Sequence, residues 1–129
     1  MILDTNFVID LLNGKEYAAL KMQSFAKEDI ECTVTTPTIF ELWSGLVSLK
    51  KSDSEKHKIR SLIKNQIVYL LDEESAEVSG KIHGELENKG LTINPIDCMI
   101  AGIAIANNKK VLTRDEHFSR IEGLKVEGY

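Results

Sequence analysis

The sequence is poor in cysteine, proline and aromatic residues, with two cysteines, two prolines and 6% aromatics among 129 residues. Cys32 and Cys98 form neither a C-x-x-C pair nor a spaced framework, which argues against a disulfide scaffold and against a cysteine-based zinc site. We interpret them as two buried, reduced thiols. The core must therefore be held by ordinary apolar packing.

Long hydrophobic runs are also lacking. The longest apolar stretch, from Met99 to Ala106, is far too short to span a bilayer. No basic segment precedes an apolar run at the start of the sequence, so we see no secretory signal. We expect a cytoplasmic protein that has no membrane partner.

Basic residues do not dominate, since 16 Lys and Arg against 20 Asp and Glu give a formal net charge of −4. This balance argues against a general nucleic-acid coat protein, which would be basic. It is compatible with a nuclease, because acids at a metal site lower the net charge while a separate basic patch binds phosphate. The sequence also lacks the G-x-x-x-x-G-K-[ST] phosphate loop and the H-E-x-x-H zinc motif.

What the sequence does contain suits one domain, residues 1–129, because 43% hydrophobic residues are enough for a single core. Strand-like and helix-like runs alternate without a repeat or a linker, which predicts an α/β fold with a mainly parallel sheet. The predicted strands are residues 1–3, 31–35, 67–71, 110–113 and 124–126. One helix is predicted around Phe7–Leu12, closed by Asn13-Gly14, and others at 17–26, from Thr36 through Val47, and at 52–66. A long helix through Val78, Ile82 and Leu86 ends at Lys89-Gly90, another spans 95–107, and a short one precedes the last strand.

Local signals give further expectations for the first and third helices. Thr36 is predicted to cap the helix in which Pro37 occupies the first turn. Asp10, in the first helix, is predicted to be exposed. The third helix is predicted to carry an apolar stripe formed by Ile39, Trp43, Leu46 and Val47.

Four acidic residues stand out by position. Asp4 directly follows the first strand, and Asp115 follows the fourth, where ligands bind in open parallel sheets. Asp97 lies in the first turn of the most hydrophobic helix. Glu41 lies near the start of the third helix, within an apolar stretch.

Each acid also has a purely structural explanation. Asp4 and Asp115 fit as cap or turn residues, Asp97 suits a helix N-terminus electrostatically, and Glu41 could point to solvent. Together they favour a metal site, because converging carboxylates repel one another unless a cation neutralises them. An all-oxygen set favours Mg²⁺ or Mn²⁺ over Zn²⁺.

Four segments, MILDTNFVIDLL, PTIFELWSGL, NPIDCMIAGIAIA and VLTRDEHFSRIEGLKV, resemble the conserved blocks of PIN domains, and especially those of VapC-type toxins from toxin–antitoxin pairs. The resemblance covers essentially the whole chain in the right order. It implies a three-layer fold, in which a central parallel five-stranded sheet is flanked by helices. It also implies an endoribonuclease that depends on Mg²⁺ or Mn²⁺.

On this resemblance, Asp4 and Asp97 would be the primary metal ligands, and Asp115 would bind directly or through water. Glu41 would complete the set or orient the attacking water, so all four acids would be catalytic. Three polar residues would hold the carboxylates in place: Thr5, Asn6 and Thr113.

The expected partners are an RNA substrate, a cognate antitoxin and a second copy of the chain. Candidate RNA contacts are Arg114, Lys50 and Lys51. The antitoxin is expected to block the acidic site by inserting an Arg or Lys. The homodimer is implied mainly by the resemblance, with Trp43 and Leu46 expected to add apolar surface beside a polar fourth helix.

Two alternatives remain open from the residues. A receiver-like signalling domain also gathers acids around Mg²⁺, and Asp72 follows the third strand as its phosphoacceptor would. However, Asp4 is followed by Thr5-Asn6 instead of being paired with another acid, and Asn6 also departs from the Asp-x-Asp of haloacid-dehalogenase phosphatases. A catalytically silent PIN-like binding module is the other alternative, although it would have no reason to keep four clustered acids.

Overall fold

A computed structural model describes the whole chain, Met1–Tyr129, as one parallel sheet covered by helices. The five strands have the order β3-β2-β1-β4-β5, and every neighbouring pair is parallel. The strands are β1 (Ile2–Leu3), β2 (Thr33–Thr35), β3 (Ile67–Tyr69), β4 (Lys110–Leu112) and β5 (Lys125–Glu127).

Six α-helices and one 3₁₀ helix connect the strands. They are α1 (Thr5–Leu12), α2 (Glu16–Lys27), α3 (Thr36–Ser48), α4 (Asp53–Lys64), α5 (Glu73–Asn88) and α6 (Pro95–Ala106), with the 3₁₀ helix at Glu116–Arg120. The predicted strands and helices are all present, and their ends differ from the prediction by a few residues at most. None of these helices combines the length and the apolar character that crossing a bilayer requires.

The strand order decides against a receiver domain. A receiver has the order 2-1-3-4-5, in which the first strand lies between the second and third. Here β1 lies between β2 and β4. The order places the ends of β1 and β4 side by side, which is the arrangement that the metal-site hypothesis needs.

The sheet separates two apolar clusters, which confirms the predicted three-layer architecture. Because successive strand residues point to opposite faces, Ile2 and Val111 contribute to the cluster beneath α5 and α6. Leu3 and Leu112 contribute to the cluster beneath α1, α2, α3 and α4. All four side chains are at most 1% exposed, so the central strands are covered on both faces.

Helix α6 is enclosed on nearly every side, as its composition predicts. Ile100, Ala101, Ile103 and Ala104 are fully buried. Gly102 lets α5 approach closely: a Cβ at this position would collide with Oγ of Ser79 and lie 2.7 Å from the carbonyl oxygen of Ser75. This packing fixes the helix whose first turn carries Asp97.

Helix α3 differs from the prediction in two respects. Thr35, not Thr36, is the capping residue, because its backbone is extended and its hydroxyl accepts the N–H of Thr38 at 3.2 Å. The predicted apolar stripe is also divided between two environments. Leu46 is buried at 6% exposure, whereas Val47 is 70% exposed and lies off the core.

Asp10 is buried, contrary to the prediction that it is exposed. It lies on α1, which packs against α2. Tyr129 and Arg114, which are distant in sequence, cover its carboxylate. Local periodicity carries no information about such contacts.

We predict that Gly102→Ala destabilises the protein by about 1–3 kcal/mol, because the added methyl group meets both the Ser79 side chain and the backbone of α5. Urea unfolding measures the change. Gly45→Ala is the matched control, since nothing lies within 4 Å of a Cβ built in that helical position. Equal stability of Gly102→Ala and the unmodified protein would contradict the proposed close packing of α5 on α6.

Candidate active site

The candidate site lies where the central parallel strands end. Leu3 of β1 pairs with Leu112 of β4, and the N–H of Asp4 continues the ladder by donating to the carbonyl oxygen of Leu112 at 3.1 Å. Thr113 therefore comes beside Asp4. Thr35, at the end of β2, lies on the other side of β1.

Asp4 is buried, with 2% exposure, and its Oδ2 accepts a hydrogen bond of 2.8 Å from the hydroxyl of Thr113. The same hydroxyl oxygen accepts the N–H of Asp115 at 3.0 Å. Asp4 precedes α1, but its side chain makes no capping hydrogen bond. The structural explanation of Asp4 as a helix cap therefore does not hold.

Glu41 is fixed from the other side by a row of threonines. The hydroxyl of Thr5 donates a short hydrogen bond to Oε2 of Glu41 and lies 3.4 Å from the hydroxyl of Thr38. The hydroxyls of Thr38 and Thr35 are 3.0 Å apart. Glu41 is thus held against the strand ends while it stays partly exposed.

The sequence interpretation anticipated Thr5 in this role but missed Thr35 and Thr38. The signal was present as a run of threonines, TVTTPT at 33–38, around the end of a strand. A short polar run beside a helix start is more often read as a cap. Thr35 does serve as a cap, and its hydroxyl also joins the row that leads to Glu41.

Asp97 and Asp115 complete the set. Asp97 is half-buried in the first turn of α6. Asp115 caps the 3₁₀ helix, because its Oδ1 accepts the N–H of His117 at 2.8 Å, and it also lies 3.1 Å from Nδ1 of His117. The turn explanation of Asp115 is therefore correct, and it leaves the second carboxylate oxygen free for another partner.

The acids lie close enough together for the ionisation of Asp4 and Asp97 to be disturbed. Burial raises the pKa of Asp97 to about 7, and the negative charges of Asp4, Glu41 and Asp115 add to the rise. Burial also raises the pKa of Asp4 to about 6, against the opposing hydrogen bond from Thr113, with further rises from Glu41 and Asp115. Charge is therefore concentrated at one end of the sheet.

The chemistry of this set fits a hard divalent cation, since all its donor atoms are carboxylate and hydroxyl oxygens. As the side chains stand, however, no three His, Cys, Asp or Glu side chains are drawn together tightly enough to hold a metal ion. A cation bound here would offset the repulsion between the carboxylates.

The remaining predicted residues lie around this centre. Asn6 is exposed on the first turn of α1, outside the hydrogen-bond network. Arg114 is exposed between Thr113 and Asp115. Lys50 and Lys51 are exposed just beyond α3.

A groove of about 520 Å³ opens beside Glu41, between α1, α3 and α4. Its walls combine apolar and charged side chains. They include Ile9, Leu12, Leu46, Leu49, Lys51 and Lys58. Because Glu41 lines one wall, a molecule in the groove would contact one of the four acids.

We predict that Asp97→Asn raises the melting temperature of the metal-free protein at pH 8. The pKa of Asp97 is raised in the folded state, so the native protein binds a proton more tightly than the unfolded chain does. Stability therefore falls as the pH rises from about 4 to about 7, and the variant escapes the part of this loss that comes from Asp97. Thermal unfolding from pH 4 to pH 8 should show a gap between the two proteins that is wide at pH 8 and closes near pH 4.

Asp53→Asn removes the same charge from a fully exposed side chain on α4 and serves as the control. Its unfolding profile against pH should follow that of the unmodified protein. A melting temperature of Asp97→Asn that stays below that of the unmodified protein at pH 8 would contradict the proposed repulsion.

Comparisons with known proteins agree with this fold. The PIN-domain profile matches residues 1–124. Ribonuclease VapC2 of Rickettsia felis is 25% identical, with 99% of this chain and 96% of the relative aligned. The tRNA(fMet)-specific endonuclease VapC of Shigella flexneri is 26% identical, with the same coverage.

Among solved structures, VapBC2 from Rickettsia felis, bound to a DNA fragment from its promoter, superposes with a TM-score of 0.89. It is 25% identical, and the match covers 99% of this chain and 97% of that one. The architecture, the profile match and the relatives lead to one assignment: this chain belongs to the PIN-domain family and is similar to its VapC ribonucleases.

Proposed function

We propose that this protein is an endoribonuclease dependent on Mg²⁺ or Mn²⁺ and the toxin of a toxin–antitoxin pair. The observation that carries the proposal is the gathering of four acidic residues at the end of the central strands, where burial and the charges of Glu41 and Asp115 raise the pKa values of Asp4 and Asp97. The relatives named as VapC ribonucleases support the reaction type. We treat residues 1–129 as one catalytic domain that acts in the cytoplasm.

The proposed primary ligands are Asp4 and Asp97, the two acids whose pKa values are raised. Asp115 offers its free carboxylate oxygen, directly or through water, and Glu41 completes the set or orients the attacking water. A divalent cation held there would supply the Lewis acid that activates water and offsets charge on the scissile phosphate.

The threonines give this site its rigidity. Thr113 holds Asp4 in one orientation, and Thr5 does the same for Glu41. Such outer hydrogen bonds orient ligands and raise metal affinity. Asn6 is exposed, so its proposed part is to face the substrate side of the centre.

Three cations are the proposed RNA contacts. Arg114 lies next to Asp115 on the rim of the site, and Lys51 lines the groove that Glu41 also lines. Lys50 lies beside it at the end of α3. Their placement on the rim lets phosphates bind while the net charge of the chain stays negative.

The proposed protein partner is an antitoxin that blocks the acidic site. A guanidinium or ammonium group can pair with several carboxylates and compete with the cation. The groove beside Glu41 offers such a partner apolar contacts with Leu12, Leu46 and Leu49. The similar structure from Rickettsia felis is that of VapBC2, which supports a partner protein for this chain.

We also propose a homodimer, with a different surface from the one expected. Leu46 is buried, and Trp43 packs its ring under the guanidinium of Arg60 at 4.9 Å. The apolar surface of α3 is instead offered by Phe40 at 62% exposure and Val47 at 70%. Large exposed apolar side chains on one helix favour contact with another chain.

We expect the purified protein to cut a total RNA pool internally in Mg²⁺ or Mn²⁺ and to lose this activity in EDTA. Asp97→Asn should lower the cleavage rate by about 100-fold or more, because even outer hydrogen-bonding partners of ligands cost about 10–100-fold. Mapping of the cut ends shows that cleavage is internal, and the rate at which these ends accumulate measures the effect of the substitution. Asp53→Asn, which changes an exposed acid on α4, should cut at the unmodified rate.

Equal rates for Asp97→Asn and the unmodified protein in Mg²⁺ would exclude Asp97 as a ligand. An unmodified protein that leaves RNA intact in both cations would favour the silent binding module over the nuclease. Thermal unfolding shows beforehand that each protein is folded.

We expect expression of this chain alone to arrest growth and degrade RNA, and co-expression with its neighbouring gene to relieve both effects. The physical reason is that an open acidic site cleaves whenever Mg²⁺ is present unless a partner fills it. Growth and RNA integrity are the measurements, with Asp97→Asn alone as the harmless control. Harmless expression of the unmodified chain, with no partner recovered on purification, would remove the toxin assignment and leave the nuclease assignment standing.

A further inference from the structure

The guanidinium of Arg114 is held by side chains from three other parts of the chain. Its Nη1 lies 3.2 Å from Oδ2 of Asp10 on α1 and donates a 3.2 Å hydrogen bond to the hydroxyl of Tyr17 on α2. Its Cζ lies 5.7 Å from the centre of the Tyr129 ring. An arginine on a connecting loop is thus fixed in one place.

These partners support one another. The hydroxyl of Tyr129 donates to Oδ2 of Asp10 at 3.3 Å. The Tyr129 ring packs edge-on against Phe7, with the centroids 4.8 Å apart, and stacks on Tyr17 at 6.2 Å. Asp10 is 6% exposed, and a carboxylate buried to that degree needs the cation and the hydroxyl that it has here.

The contact with Asp10 leaves some hydrogen-bond donors of Arg114 free. Both polar contacts involve Nη1, so the N–H groups of Nη2 and Nε are left for another acceptor. The side chain is 51% exposed. Its backbone lies between Thr113, which holds Asp4, and Asp115. Its guanidinium covers Tyr129, which is near enough to the acidic centre for the charge of Asp4 to contribute to the raised pKa of the Tyr129 hydroxyl.

We propose that Asp10, Tyr17 and Tyr129 are positioning residues that hold Arg114 at the rim of the acidic site, where its free N–H groups bind a phosphate of the RNA. The inference rests on the proposed ribonuclease function. A guanidinium presents a planar set of donors that matches phosphate, and one that is already fixed loses less freedom on binding.

The sign of the effect separates positioning from simple electrostatics. Asp10→Asn removes a negative charge from a protein whose net charge is −4. Long-range attraction to RNA should therefore increase if charge alone matters. If Asp10 fixes Arg114, the same substitution frees the guanidinium and weakens RNA binding.

The test uses binding and cleavage of a fluorescein-labelled single-stranded RNA of mixed sequence by the full chain. Fluorescence anisotropy in EDTA gives the dissociation constant, and cleavage in Mg²⁺ gives kcat and KM. Arg114→Ala should weaken binding roughly tenfold, as expected for loss of a charge-assisted hydrogen bond. Asp10→Asn should weaken it several-fold, raise KM by the same factor and leave kcat close to the unmodified value.

Two further variants connect the effect to Arg114. The double variant Asp10→Asn, Arg114→Ala should bind no more weakly than Arg114→Ala alone, because both changes remove the same contact. Tyr17→Phe deletes one hydrogen bond from an exposed side chain and changes no charge, so it should weaken binding in the same direction and by less. It keeps the test valid should Asp10→Asn lower the stability of the fold.

Asp53→Asn is the charge-matched control, and it should bind as tightly as the unmodified chain or slightly more tightly. Binding by folded Asp10→Asn that matches this control would overturn the positioning proposal, and so would unchanged affinity of Arg114→Ala. Absence of cleavage by the unmodified chain contradicts the proposed function instead. Cleavage with an unaltered KM for Asp10→Asn contradicts only the positioning.

Discussion

Repulsion among four carboxylates at the end of the sheet is the constraint on which the rest of the structure depends. Asp4 and Asp97 are taken out of water and face the charges of Glu41 and Asp115, so their pKa values rise towards neutrality. Such an arrangement lowers the stability of the fold unless a bound cation or cationic partner offsets the electrostatic cost. The cation site that we propose would account for this cost.

The fold supplies what keeps these charges together. The parallel pairing of β1 with β4 brings Asp4 beside Thr113, and the two covered faces of the sheet leave those strands little freedom to move apart. Gly102 lets α6 pack tightly on α5, which sets the position of Asp97. Threonine hydroxyls then orient Asp4 and Glu41, so the site is built on rigid elements.

The sequence was sufficient wherever the signal was local or periodic. The alternation of strand-like and helix-like runs predicted the parallel sheet, and the strand-end positions of Asp4 and Asp115 indicated the edge of the sheet where the candidate site lies. It failed where a contact joins residues distant in the chain: Asp10 is buried because Tyr129, 119 residues away, bonds to it. Thr35 was missed as the cap of α3 because two adjacent threonines offer the same local signal, and only the backbone geometry distinguishes them.

The most direct test of the central claim is a crystal structure of the protein grown with Mn²⁺, with anomalous scattering used to locate the ion. The account predicts an anomalous peak about 2.0–2.2 Å from carboxylate oxygens of both Asp4 and Asp97, as expected for a hard divalent cation. Asp97→Asn crystals grown in the same way should lose or weaken that peak. Saturating Mn²⁺ with no peak between these two carboxylates would contradict the account.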